Sequence, residues 1–324
     1  MTDPSGNAAQ AERWNGEGGQ HWIAHRERHL AEHRRLIPHL FGAAAIAPGD
    51  RVLDVGCGCG ETTIAAARAA SAEGDPGGGD PGHPGPGHPG PGDPGPGDAD
   101  PGDPRQGARG PGGSALGLDL SGPMLEVARR LAAAAGAANA RFEQGDAQVY
   151  PLRRDAYDVV ISKFGVMFFA DPPAAFGNIA AGVRPGGRLV FLCWRDDQHN
   201  EVFSIPLGAF LPYTRPPIPT RDALFEDPRR VSDLLSGTGW DSIRVEAVNE
   251  PAWMGSDVAD VMSYVRDMRM VRGLAAELGD DALTERVLAS LAEQYAARQR
   301  PDGVWVRAGA WLATARRGAG GPAR

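Results

Sequence analysis

Residues 52–63 read Val-Leu-Asp-Val-Gly-Cys-Gly-Cys-Gly-Glu-Thr-Thr, and no other stretch limits the fold of this chain so strongly. A short apolar run ends in an acid and a valine. Three glycines then alternate with cysteines, and a helix-forming stretch from Glu61 to Ala70 follows. Strand, tight turn and helix N-terminus in succession make a cradle for a nucleotide-like ligand. Gly56, Gly58 and Gly60 let the backbone approach without a Cβ in the way, and the free amides of the helix start favour an anionic group. Dinucleotide dehydrogenases use the same device, so the glycines alone leave the ligand open.

The acids separate the alternatives. Asp54 precedes the first glycine and Glu61 follows the last. A diphosphate seated there would meet two carboxylates, each contact unfavourable by about 1 to 4 kcal/mol at ~4 Å. A ligand with an ammonium and a sulfonium has the opposite preference, and S-adenosylmethionine (SAM) carries both, plus a carboxylate for the helix amides. An acid that grips ribose hydroxyls belongs about 20 residues past the loop. Gly60 and Asp119 are 59 positions apart, but Gly74 to Gly113 is a 40-residue tract of Gly, Pro, Asp and His; removing it leaves 19. The tract repeats pentads such as Pro-Gly-His-Pro-Gly, with glycines at alternating gaps of two and three, which excludes a collagen triple helix. It is expected to be a disordered insertion in a surface loop, with a span of about 35 Å and little added closure entropy. A third acid, Asp146 in Gln-Gly-Asp-Ala-Gln, is placed to accept a hydrogen bond from an adenine amino group.

Around these acids the chain alternates β-like and helical segments, the pattern of a mostly parallel sheet. Strands are expected at Arg51–Val55, Ala115–Leu120, Arg141–Gln144, Tyr157–Ser162 and Arg188–Trp194. Ser121 with Pro123, and Asp171 with Pro172, start helices, the second running to about Val183 before Arg-Pro-Gly-Gly. Two later runs, Ile243–Asn249 and Ala308–Ala315, flank a helical stretch over 256–298 and are expected to pair at a sheet edge.

These segments resemble the class I SAM-dependent methyltransferases, in particular the small-molecule branch similar to ubiquinone/menaquinone-type methyltransferases. The elements that carry the resemblance are Val52 to Gly60, Gly117-Leu-Asp-Leu-Ser with Met124-Leu, Gly145-Asp-Ala, Phe164-Gly-Val-Met-Phe-Phe and Arg184-Pro-Gly-Gly-Arg-Leu, over most of residues 10 to 198. The resemblance implies a Rossmann-like, mostly parallel seven-stranded α/β sheet with helices on both faces, an antiparallel last strand and a helical cap. The expected divisions are a cap over 1–48, a SAM-binding core over 49–198 with the tract inserted at 74–113, and acceptor-binding helices plus edge strands over 199–324. In such an enzyme Asp54, Gly56, Gly58 and Gly60 hold the methionyl part, Asp119 the ribose and Asp146 and Ala147 the adenine, while Lys163 and Phe164 face cofactor and acceptor. Cys57, Leu120 and Met124 are further cofactor-binding candidates. The Gly/Pro tract is the one departure from that pattern.

Bulk properties narrow the partners. A formal charge of −8 and only isolated pairs of arginines offer little to nucleic acid or an anionic membrane, so neither is an expected partner. The expected partner is a small-molecule methyl acceptor, and monomer and homodimer both stay open. No apolar run approaches the ~18 residues of a membrane span, so no insertion is expected. Three cysteines cannot staple a chain of this length, which suits a reducing, cytoplasmic setting. Cys57 and Cys59 have no second Cys or His pair at zinc-like spacing, so no metal is expected.

Methyl transfer is an in-line displacement that needs alignment first, and a base only for a protonated acceptor of low acidity. Candidates for that base are His25, His29 and Lys163. His21, His25, His29 and His33 form an i, i+4 ladder beside a stripe of Trp22, Leu30, Ile37 and Leu40, expected at the edge of one helix over the cofactor mouth. Met262, Met268 and Met270 with Tyr264 read as packing. The acceptor pocket is expected between the segment around Trp14 and Trp22, residues 198–215 and the helices of 256–298, whose apolar character suits an aromatic, polyketide-like or isoprenoid acceptor. Two other readings remain at this point: a non-catalytic SAM-binding accessory protein, and an NAD(P)-dependent oxidoreductase.

Overall fold

A computed structural model describes residues 7–71, 112–214 and 224–318. The expected insertion, except for Gly112 and Gly113, lies outside the described residues. Four short helices open the chain: α1 (Ala8–Asn15), α2 (Glu17–Ala24), α3 (Arg26–His33) and α4 (Ile37–Ala44). A five-stranded parallel unit follows, built from β1 (Arg51–Val55), β2 (Ser114–Asp119), β3 (Ala140–Gln144), β4 (Tyr157–Lys163) and β5 (Val183–Trp194), in the order β3-β2-β1-β4-β5. The crossovers are α5 (Glu61–Ala70), α6 (Gly122–Ala134) and α7 (Pro172–Gly182).

The remainder adds α8 (Glu201–Phe210), α9 (Pro228–Ser236), β6 (Trp240–Gly255), α10 (Val258–Asp267), α11 (Arg269–Leu278), α12 (Asp281–Ala296), β7 (Gln299–Arg300) and β8 (Gly303–Arg317). β8 lies antiparallel between β5 and β6, and β7 pairs only with the start of β8. The chain therefore has the Rossmann-like α/β sheet expected of it. Two-residue β7 is the one addition to the seven-stranded path.

The local causes are those of the sequence. Val159, Val160 and Ile161 are fully buried because helices cover both faces of the sheet, which explains their unbroken apolar run. Ser121 caps α6 by accepting a hydrogen bond from the Met124 amide, and Asp171 caps α7 through the Ala174 amide. Leu36 just before α4, Leu40 of α4, Ala66 and Ala70 of α5 and the helices α8 and α10–α12 share one apolar layer. Phe176, Ile179, Val231 and Leu235 of α7 and α9 form the layer on the opposite face. Met262, Met268 and Tyr264 are buried in the first layer with Met270 packed against it, a packing role for the methionines.

Two expectations change in extent. The edge strands pair as expected, with α10–α12 between them, but β6 runs 16 residues and β8 15. Trp194, the last residue of β5, pairs with Ala310; Gly303–Gly309 and Asn249–Gly255 therefore continue as a two-stranded arm beyond the carboxyl edge of the sheet. The exposed residues of β6 lie between Asp241 and Asn249, whereas Ala252, Met254 and Gly255 of the arm are buried; in the sequence Pro251 and Gly255 interrupt the strand pattern there. The single N-terminal helix is instead four pieces, broken at Gly16, at His25 and between Arg34 and Leu36.

Candidate functional site

The turn after β1 requires its glycines for two separate reasons. Gly56, Gly58 and Gly60 have φ of +67°, +57° and +87°. A Cβ on Gly56 would fall 2.6 Å from Gly165 Cα, because the tips of β1 and β4 pack backbone to backbone. At Gly58 the nearest atoms to such a Cβ are Trp22 Nε1 at 3.7 Å and Met124 Cε at 3.8 Å, so this glycine opens toward the cap.

Asp54, at the end of β1, is fully buried. Its Oδ2 accepts hydrogen bonds from the hydroxyls of Thr62 and Thr63, both at 2.7 Å, whereas its Oδ1 is buried without a partner among the described residues. Burial pushes its carboxyl up to about 6, against the pull of the two hydroxyls. Asp119, at the end of β2, accepts from the Gly58 amide at 2.8 Å and the Ser121 amide at 2.9 Å, and burial raises it as well. Asp146 lies just past β3, where its carboxylate takes the backbone and side-chain N–H groups of Gln148 at 3.0 and 2.9 Å and the Asn7 amide group at 3.3 Å. Three acids read from the sequence thus stand at neighbouring strand tips of one sheet edge.

The neighbours of these acids divide by direction. The Cys57 thiol is packed with Ile64, Leu125 and Phe142, and its amide turns to the Leu118 carbonyl. The Leu120 carbonyl accepts from Asn15 and Gln144, each at 2.9 Å, and Ala147 is buried in the apolar layer under β4. Glu61 pairs with Arg26 of the cap at 3.0 Å.

Ser121 donates to the Trp14 carbonyl at 2.7 Å and Asn15 accepts from the Gly122 amide at 3.0 Å, so α1 is stitched across the loop after β2. Trp22 stacks on His29 with ring centroids 4.1 Å apart. The cap lies over the glycine turn. A cleft of about 890 Å³ lined by Arg195, Glu201, Asn249, Arg298 and Arg307 lies instead on the outer arm.

At the tip of β4, Phe164 adopts φ +63°, a left-handed conformation that costs an aromatic residue about 1–3 kcal/mol. Its amide bonds to Leu192 and its ring stacks on Trp194 at 4.0 Å. Lys163 beside it is the only lysine in the chain. Burial lowers its pKa, against the attraction of Glu61, Asp54 and Glu32.

The histidine ladder is divided. His21 and His25 share Oδ2 of Asp267, at 3.1 and 2.8 Å, and so tie the cap to α10 in a partly exposed group with the donor types of a metal site. His29 and His33 are 7% and 2% exposed, so the expectation of histidines along a helix edge is corrected for these two. The breaks in the cap turn α3 so that its second half faces the strand tips. His33 lies 4.9 Å from the Phe164 ring and 5.4 Å from Trp194. Between the two histidines, Glu32 is buried within 3.5 Å of His29 Nδ1 and of His33 Nε2. Neither Glu32 nor His33 was singled out by sequence as a catalytic candidate. An acid one residue before the last histidine of the ladder was the available signal.

Residues 97–191 match a family model described as a methyltransferase domain; the glycine turn falls before that match, on the far side of the Gly/Pro tract. A demethylmenaquinone methyltransferase of Thermus thermophilus is 43% identical over 84 residues, 26% of this chain and 38% of that protein. An uncharacterized protein of Mycobacterium tuberculosis is 28% identical over 159 residues, 49% of this chain and 42% of the relative. The chain thus spans less than half the length of these curated relatives. The crystal structure of the YcgJ protein from Bacillus subtilis superposes with a TM-score of 0.49 at 16% identity, covering 89% of this chain and all of the other.

Proposed function

We propose that this chain, which carries a methyltransferase domain on a class I sheet, transfers the methyl group of SAM to a small apolar acceptor by in-line displacement. The observation that carries the reading is Asp54 Oδ1, a buried carboxylate oxygen beside the glycine turn that has no partner among the described residues. An ammonium there would satisfy the oxygen and offset the burial of the charge, whereas a diphosphate would be repelled by Asp54 and Glu61.

The fit extends along the sheet edge. Asp54 and the turn of Gly56, Gly58 and Gly60 would hold the methionyl part, Asp119 the ribose and Asp146 the adenine. Asp119 retains lone pairs for hydroxyl donors after its two backbone bonds. Cys57 contributes backbone shape to the turn, not its thiol. Bound SAM supplies an electrophilic methyl group on a sulfonium. The residues of this chain align the acceptor against it and exclude water, and positioning of this kind is worth up to ~7–11 kcal/mol in well-oriented reactions. The rings of Trp22 and Tyr264 gather around His29, and those of Phe164 and Trp194 around His33, an aromatic cluster near the turn that suits an acceptor with a flat unsaturated face. Calorimetry with SAM and S-adenosylhomocysteine, followed by transfer of labelled methyl from SAM to a panel of apolar acceptors, tests the reading. Binding of NADH with no binding of SAM overturns it.

A further inference from the structure

We propose that Glu32, His29 and His33 are the acid–base centre of this site, with His33 taking a proton from an acceptor that carries a weakly acidic O–H. The inference rests on the methyl-transfer reading and deepens it by naming the acceptor class. The three side chains occupy consecutive turns of α3 and are all more than nine-tenths buried. One Glu32 oxygen lies 3.5 Å from His29 Nδ1 and the other 3.5 Å from His33 Nε2, so a single carboxylate orients two imidazoles through opposite ring nitrogens.

The remaining nitrogens, His29 Nε2 and His33 Nδ1, are buried with no hydrogen-bond partner among the described residues, and so is the hydroxyl of Tyr295. Burying such groups without partners is costly, and replacing a buried ionic cluster by well-packed apolar residues is often neutral or stabilising. A role in packing alone does not account for it. A ligand with a polar hydrogen does.

Position and charge agree with that role. The His33 ring lies against Phe164 and Trp194, at the tips of β4 and β5, where the acceptor must approach a methyl group held over the glycine turn. Glu32 and His33 are faced by Lys163 from β4, by Tyr264 from α10 and by Tyr295 from α12. Burial opposes the charge on Glu32, yet the two imidazoles more than offset it and hold the carboxyl well below its ordinary range. Burial draws His33 down to about 4 against the pull of Glu32, so at neutral pH the ring is uncharged and its Nδ1 lone pair is available.

In the step, the acceptor O–H bond breaks and its proton passes to His33 Nδ1. The bond electrons remain on the acceptor, which attacks the methyl carbon as the carbon–sulfur bond breaks toward sulfur. The imidazolium pairs with Glu32 and later releases the proton to water, and Lys163 offers positive charge to the transient acceptor anion. Glu32 is a positioning residue that holds the ring in the tautomer with Nε2–H toward the carboxylate.

The test uses the full chain, labelled SAM and a series of phenols and naphthols ordered by O–H acidity. His33→Asn and Glu32→Gln are expected to bind SAM within about threefold of the parent chain while lowering kcat/KM on unactivated phenols by about 100-fold or more. Nitrophenols already ionised at the assay pH should lose far less, and, with SAM held saturating at every pH so that the Asp54 dependence drops out, the fall of the parent's rate toward about pH 4 should disappear in His33→Asn. Circular dichroism checks that both variants fold, and Glu32→Gln carries the test if His33→Asn does not. A folded variant with full rate on unactivated phenols, or an equal loss on all members of the series, overturns the proposal. So does a parent chain that binds SAM but methylates none of them. Failure of the parent to bind SAM overturns the methyl-transfer reading itself, and is distinguished by the calorimetry.

Discussion

Asp119 Oδ2 accepts the amide hydrogen of Gly58 at 2.8 Å, joining the tip of β2 to the turn after β1. The acid that spacing places at the ribose therefore also holds the glycine turn in shape. Asp119→Ala would remove two charge-assisted backbone bonds, each worth about 1.5–3 kcal/mol. The expected outcome is a Kd for SAM raised at least about tenfold, with a melting temperature several degrees lower. Unchanged affinity by calorimetry would reject the ribose assignment.

Asp54 makes cofactor binding depend on pH. Its folded pKa of about 6 lies above the ordinary 3.8, so its contribution to stability is full below about 3.8 and is lost as pH rises through 6. A bound ammonium interacts only with the ionised form and recovers part of that loss. SAM should accordingly bind more tightly as pH rises from 5 to 7.5, with proton release near pH 6, and Asp54→Asn should flatten the dependence. Calorimetry in buffers of different ionisation enthalpy reads both effects.

Gly165 is a structural counterpart of Gly56. A Cβ on Gly165 would lie 2.6 Å from the Val55 carbonyl oxygen and 2.8 Å from Gly56 Cα. Gly165→Ala should destabilise the fold by about 1–3 kcal/mol through overpacking at this backbone contact. Gly177→Ala, at a helical site open to solvent with no atom within 4 Å, should be neutral or slightly stabilising. Thermal melts of the two variants decide whether the backbone contact carries the effect.

Deleting residues 77–111 should leave the fold and SAM binding intact. The Gly113 amide bonds to the Ala70 carbonyl at 3.1 Å, and Asn139 Nδ2 joins Ala67, Ser71 and Gly113 at 2.7, 3.2 and 3.0 Å, so the described ends of this connection already meet. They do so where α5 ends and β2 begins, at the edge of the sheet opposite Asp54 and Asp119. A melting temperature within about 2 °C of the full chain is expected. Loss of the cooperative transition would assign the tract a place in the fold.

The mostly parallel sheet with its first five strands, the glycine turn and the placement of Asp54, Asp119 and Asp146 at strand tips were legible in the chain itself, whereas the order β3-β2-β1-β4-β5 was not. Each depends on local pattern: a buried strand needs an apolar run, a turn at positive φ needs glycine, and acids that close successive strands share one edge of a parallel sheet. Tertiary structure alone decided which histidines face inward, because three breaks in the cap set the direction of α3. It also decided the length of the arm formed by β6 and β8, where Pro251 and Gly255 interrupt the strand pattern of the sequence. The left-handed Phe164 belongs to the same class, since only the stacking of its ring on Trp194 and its bond to Leu192 hold an aromatic residue in a conformation its own backbone disfavours.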